Sequence, residues 1–159
     1  MGGPVPDYTE REQEALDTYR RYLDTRRQID AGEQDWNVLA AFFTDDATFV
    51  DPAWGRVEGV DAIAEFLHDS MVGLDDWDFP ELWTTADGDR VISLFLNRIP
   101  GADGSWHDVP GVSILEYAGG GQFRAETELI NMVHIQEVLG DSGWTPTGPL
   151  NVPPQRPPR

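Results

Sequence analysis

From about Trp77 onward the chain changes its hydrophobic period. Trp77 to Thr85, Arg90 to Ile99, Trp106 to Ala118 and Gln122 to Met132 are successive strand-length segments rich in β-branched and aromatic residues. Asp87-Gly88, Pro100-Gly101-Ala102-Asp103-Gly104 and Gly119-Gly120-Gly121 join them, and each link offers residues that tolerate positive φ. Links this short connect antiparallel neighbours, because a parallel pair needs a long crossover. The second half of the chain therefore predicts an antiparallel sheet, and the first half must cover one face of it.

The cover is helical. Thr9-Glu10-Arg11-Glu12 has capping-box spacing and predicts a helix running to about Ala31. Leu16, Tyr19, Leu23 and Arg27 fall on one stripe of that helix, with Ala15, Tyr22 and Arg26 flanking it. Trp36, Leu39, Ala40 and Phe43 mark a short second helix. Asp45-Asp46 breaks it, and Ala47 to Asp51 reads as a strand stopped by Pro52. Ile63, Phe66, Leu67 and Met71 mark a third helix entered through Gly59, and Met132 to Leu139 a last turn or two stopped by Gly140. Helices first and strands afterwards give an α+β domain over residues 9–140. Residues 1–8 are expected to be disordered. Residues 141–159 hold six of the twelve prolines and are expected to be extended, draped over the body or a partner subunit.

Composition removes several chemistries. The chain has no cysteine, and all eleven basic residues are arginines. Thiolate nucleophiles, disulfides, Schiff-base lysines and phosphate loops ending in Gly-Lys are therefore excluded. His68, His107 and His134 lie far apart without metal-ligand spacing, so no metal and no cofactor is expected. A net charge of −18 disfavours nucleic acid, anionic membranes and polyphosphates as partners. No apolar run is long enough to span a bilayer, and the opening Met1-Gly2-Gly3-Pro4 lacks a signal-peptide pattern, so a cytoplasmic location is expected. Carboxylates, hydroxyls, histidines and amides remain for any catalysis.

Asp46-Ala47-Thr48-Phe49-Val50-Asp51-Pro52, followed by Gly59-Val60-Asp61-Ala62-Ile63, resembles the ketosteroid isomerase pattern of a strand ending in Asp-Pro and a helix opening Gly-x-x-Ala-Ile. Over roughly Glu10 to Leu139 the order of elements is similar to the nuclear-transport-factor-2-like superfamily. The stretches Asp51-Pro-Ala-Trp-Gly-Arg-Val-Glu-Gly and Glu126-Thr-Glu-Leu-Ile-Asn-Met look more like its SnoaL-like branch. The resemblance implies a cone-shaped α+β barrel, with N-terminal helices packed on a curved, mostly antiparallel sheet around a small-molecule pocket. It also implies a homodimer formed through the outer sheet face.

By the same resemblance Asp51 is the general base. The isomerase's oxyanion-hole positions fall at Arg27 and Ser113, and an essential Asp of limonene-epoxide hydrolases falls at Glu128. Asp51 and Glu128 are thus the catalytic candidates. Tyr19, Arg27, Trp54, Phe95, Asn97, Ser113, Glu126 and Ile130 are the expected substrate-binding residues. Two readings stay open from the residues alone. Asp51 also suits a simple Asx-Pro turn. Strict alternation would put Phe123, Ala125, Thr127 and Leu129 inside, with Glu126 and Glu128 in water, whereas the resemblance gives the opposite face.

The implied function is a cofactor-independent isomerase, cyclase or dehydratase using a carboxylate base on a small apolar carbonyl metabolite, such as a polyketide, terpenoid or steroid-like compound. The alternatives are an epoxide hydrolase of the limonene-epoxide type and a non-catalytic small-molecule-binding protein.

Overall fold

A computed structural model of the chain describes Pro4 and residues 6–159. Residues 1–3 and Val5, within the segment expected to be disordered, lie outside the described residues. Tyr8 of the same segment hydrogen-bonds Thr85 at 3.0 Å. No helix among the described residues is long and apolar enough to cross a membrane.

Helix α1 spans Glu10–Asp30 and opens with the capping box that the sequence predicts. The Thr9 hydroxyl accepts from Glu12 N, and Glu12 Oε2 accepts from Thr9 N, so two otherwise orphaned donors are satisfied. A 3₁₀ helix, Trp36–Phe42, follows. Strand β1 is Phe43–Asp51, β2 is Gly55–Glu58, and α2 is Val60–Asp69. The long strands are β3 (Glu81–Asp87), β4 (Arg90–Pro100), β5 (Trp106–Gly119) and β6 (Gln122–Ile130), followed by α3 (Met132–Ser142). They form one sheet ordered β2-β1-β6-β5-β4-β3, in which only β1 and β6 run parallel. The helices cover one face of this curved, open sheet, which is the α+β cone expected from the resemblance. Phe43, Phe49, Ile63, Val91, Leu115 and Phe123 are almost fully buried between the layers.

Four elements depart from the sequence reading. Strand β1 starts four residues early, because Asp45 and Asp46 bulge into solvent while Phe43 and Thr48 pair with Phe123 and Ala125. The loop after Asp51 contains β2, a hairpin strand whose Gly55 sits opposite Asp51. Strand β3 begins at Glu81, and before it only Asp78 bridges to Arg98. Helix α3 passes through Gly140 and ends at Gly143, whose φ of 69° supplies the left-handed cap.

On the inner face of the sheet Phe95 lies opposite Gly111, and its ring covers the glycine. A Cβ at residue 111 would come within 2.5 Å of Phe95 Cζ. Gly111→Ala is therefore expected to push the Phe95 ring toward the interior and destabilise the fold by roughly 1–3 kcal/mol. Urea denaturation of the variant beside wild type checks this, and unchanged stability would contradict the packing described.

Candidate functional site

Asp51 ends β1, where the chain turns through Pro52-Ala53-Trp54 into β2. Its Oδ1 accepts hydrogen bonds from Ala53 N and Trp54 N, each at 2.7 Å. This is an Asx turn, and the same carboxylate lines a cavity. The two readings of Asp51 are thus both satisfied: the turn is what holds the carboxylate still.

The face of the two glutamates is settled by an irregularity in β6. Glu116 of β5 pairs with Ala125, but the next β5 residue, Tyr117, pairs with Phe123. Arg124 is the extra residue, and inserting it reverses the alternation. Phe123 and Glu126 consequently point to the same inner side despite their odd separation, and both are buried. Beyond the bulge, Glu128 lies on that side too, paired across β5 with the buried Ser113. The parallel pairing of Phe49 with Glu126 and Val50 with Thr127 brings Asp51 alongside Glu128.

The cavity has a volume of about 310 Å³ and lies between the inner sheet face and helices α1, α2 and α3. Asp51, Glu126, Glu128, Asn97 and Ser113 line its sheet wall. Arg26, Trp36, Trp77, Phe79 and Trp144 line the cavity from outside the sheet, and Tyr19, Tyr22 and Trp54 complete it. The volume fits a small organic molecule.

Desolvation governs the ionisation of this site. Burial raises Asp51 above the usual carboxylate range, although its two backbone donors and a hydrogen bond from Glu128 oppose that. Glu128 keeps some surface, as a cavity-lining residue must. Burial and the charges of Glu126 and Asp51 nevertheless push its carboxyl well up. Glu128 holds its proton the more tightly of the two, because the charge of Asp51 raises it further whereas two N–H donors favour the ionised form of Asp51. Burial pushes Glu126 up to about 7, against the opposing effects of the Ser113 hydroxyl and Arg26. Burial likewise raises the Tyr19 and Tyr22 hydroxyls, which stay neutral donors.

Tyr19, Trp54, Phe95, Asn97, Ser113, Glu126, Glu128 and Ile130 all line the cavity with Asp51. Arg27 does not. Its side chain is 73% exposed and pairs with Asp24 on the outside of α1. Arg26 takes the place expected of it. Seven residues make two turns of helix to within about 20°, so Arg26 returns to the Tyr19 face, whereas eight residues leave Arg27 about 80° away. The buried stripe is Leu16, Tyr19, Tyr22 and Ile29, and Tyr22 and Arg26 could have been read from it. Asn97 donates through Nδ2 to Val109 O at 3.1 Å, so part of its amide is structural. His68 faces Asp35, and His134 faces Glu137; neither lines the cavity. Among the described residues no three His, Cys, Asp or Glu side chains gather as a metal site requires.

The proline-rich tail closes one side of the cavity through Leu150, Asn151, Val152 and Pro153. Asn151 Nδ2 donates to Asp69 O at 3.1 Å, and Arg56 N donates to Pro158 O at 2.9 Å. Gly73 makes room for it, since a Cβ there would meet Leu150 Cδ2 at 2.6 Å. The prolines carry the expectation of an extended tail draped over the body or a partner subunit, but where it docks is set by these tertiary contacts and not by a local signal.

A cone of helices on a curved open sheet is the fold of the nuclear-transport-factor-2-like proteins. Among them the chain belongs to the family of the SnoaL-like domain, whose model matches residues 17–125. No protein of curated function matches in sequence. Among solved structures, a candidate SnoaL-like polyketide cyclase from Jannaschia sp. CCS1 superposes with a TM-score of 0.66 at 18% identity, covering 89% of this chain and 100% of its own. A second, from Shewanella putrefaciens CN-32, gives 0.61 at 21% identity over 87% of this chain and 88% of its own. TerC, co-crystallised with polyporic acid, gives 0.62 at 16% identity over 80% of this chain and 99% of its own. At these identities the likeness is one of fold.

Proposed function

We propose that this SnoaL-like protein is a cofactor-independent enzyme acting on a small, largely apolar carbonyl compound. One observation carries the reading: two half-buried carboxyls, Asp51 and Glu128, stand side by side at the wall of a cavity of about 310 Å³, where burial raises the proton affinity of both. Asp51 takes a proton from the carbon α to the carbonyl, and the electron pair passes to the carbonyl oxygen as an enolate. Glu128 then returns a proton, either to the γ-carbon where the enolate is conjugated with a double bond, or to the alkoxide formed when the enolate attacks a second carbonyl of the same molecule. The first outcome is isomerisation and the second aldol-type cyclisation. Two groups of unequal proton affinity, fixed side by side, suit both.

The direct test is proton abstraction itself. With 2-tetralone in deuterium oxide, the protein is expected to catalyse loss of the α-proton signal, followed by NMR. The same pair supports the epoxide-hydrolase reading, with Asp51 activating water and Glu128 protonating the opening ring. Oxygen-18 from water appearing in a diol, without α-deuteration of any carbonyl, would favour it.

The chain is also proposed to act as a homodimer. Outside the cone, cross-strand rows Thr85–Ile92–Ile114–Thr127 and Trp83–Leu94–Val112–Leu129 form an apolar band across four strands. Trp83 and Leu129 are 49% and 56% exposed, which is unusual on so acidic a chain. Light scattering is expected to give twice the chain mass, and Leu94→Glu, which places a charge in the band, to give the monomer. A monomeric wild type would remove the proposal.

A further inference from the structure

Three buried polar atoms of the cavity wall have no partner within the protein: Arg26 Nε, Trp77 Nε1 and Glu126 Oε2. Leaving such atoms unpaired costs free energy, so a group that would satisfy them is expected to come from outside the chain. Arg26 is the telling member. Its guanidinium stacks 5.1 Å from the Trp36 ring centroid and 5.6 Å from that of Phe79, and its one hydrogen bond is a long 3.5 Å contact from Nη2 to Phe79 O. Among the described residues no carboxylate is in ion-pair contact with it. A cation held between aromatic faces, with its fork unused, is arranged to receive an anionic oxygen.

Trp77 adds a second donor on the same side. Its ring packs beside Phe79, with centroids 6.3 Å apart, and against Trp144 at 5.4 Å. The two indoles differ in what they hold. Trp144 Nε1 donates to both oxygens of Asp76, at 3.1 and 3.0 Å, whereas Trp77 Nε1 faces no acceptor.

We infer that Arg26 and Trp77 form the subsite for a substrate oxygen that is anionic or becomes so, a carboxylate or an enolate, in the same cavity as the Asp51–Glu128 pair. This deepens the proton-abstraction reading and rests on it only for identifying the oxygen as the one that gains charge. The ligand class follows: an apolar ring or chain carrying a carboxylate or an acidic carbonyl, with its oxygen toward α1 and its acidic carbon toward β1. Glu126 keeps its proton below about pH 7 and can then donate as well, so all three unpaired groups favour an acceptor.

The test uses 1-naphthoate and its neutral counterpart 1-naphthalenemethanol, measured by calorimetry with the full chain at about pH 6, where Glu126 holds its proton. Naphthoate is expected to bind wild type at least about tenfold more tightly than the alcohol, as charge-assisted hydrogen bonds require. Arg26→Met is expected to abolish that preference while leaving the alcohol's affinity largely unchanged. Trp77→Phe keeps the ring and is expected to reduce the preference in part. Equal affinity of wild type for the two probes would overturn the inference even if no variant folds, and so would a preference that survives Arg26→Met. Binding is read here without turnover. A preference for naphthoate with no α-deuteration of 2-tetralone would sink the Asp51 mechanism and leave this subsite standing, and the reverse result would do the opposite.

Discussion

Asp51→Asn is expected to lower α-deuteration of 2-tetralone by roughly 10²–10⁴-fold, the usual contribution of a positioned general base. The substitution is informative because so little else changes. The asparagine Oδ1 can still accept from Ala53 N and Trp54 N, so the Asx turn that shapes the β1–β2 hairpin survives. What disappears is the carboxylate, and with it the charge that raises Glu128. Thermal unfolding close to wild type together with lost exchange is the expected pair of results. Exchange that persists within a few-fold would remove Asp51 as the base.

Glu126→Gln is expected to stabilise the protein at about pH 8 by an amount on the order of 3 kcal/mol, and to change little at about pH 4. The folded chain holds the Glu126 proton up to about pH 7, whereas an unfolded glutamate releases it near the ordinary value of 4.5. Between these values the native state binds more protons than the unfolded state. Stability therefore falls as pH rises through that window and stays reduced above it. Glutamine keeps the shape and removes the titration, so its advantage exists only where glutamate would be ionised. Urea denaturation at the two pH values measures it. A variant no more stable than wild type at the higher pH would show that Glu126 is not desolvated as described. A side chain that costs the fold this much is the kind retained for function.

The elements that follow from period and punctuation were legible in the sequence. The capping box at Thr9, the Asp51-Pro52 strand end and the glycine-rich links needed only local physics, and they fix the α+β order. What was not legible depends on contacts between distant segments. The bulge at Arg124 reverses the face of Glu126 and Glu128, and no residue of Phe123-Arg124-Ala125 announces it. The hairpin strand Gly55–Glu58 forms because Asp51 folds the turn back on β1. Docking of the tail against Gly73 and Arg56 is likewise a tertiary event. Arg27 is a different case. Choosing Arg26 required only the helical angle from Tyr19, and the positional match to a distant family outweighed it.

Carboxyl carbon-13 shifts followed through a pH titration read the protonation of residues 51 and 128 without any substrate. Near neutrality one ionised carboxyl, Asp51, and one protonated carboxyl, Glu128, are expected, with Glu128→Gln returning residue 51 to a single simple titration. If both side chains instead lose their protons independently in the ordinary acidic range, the hollow is wet and the proposed chemistry has no base poised to perform it.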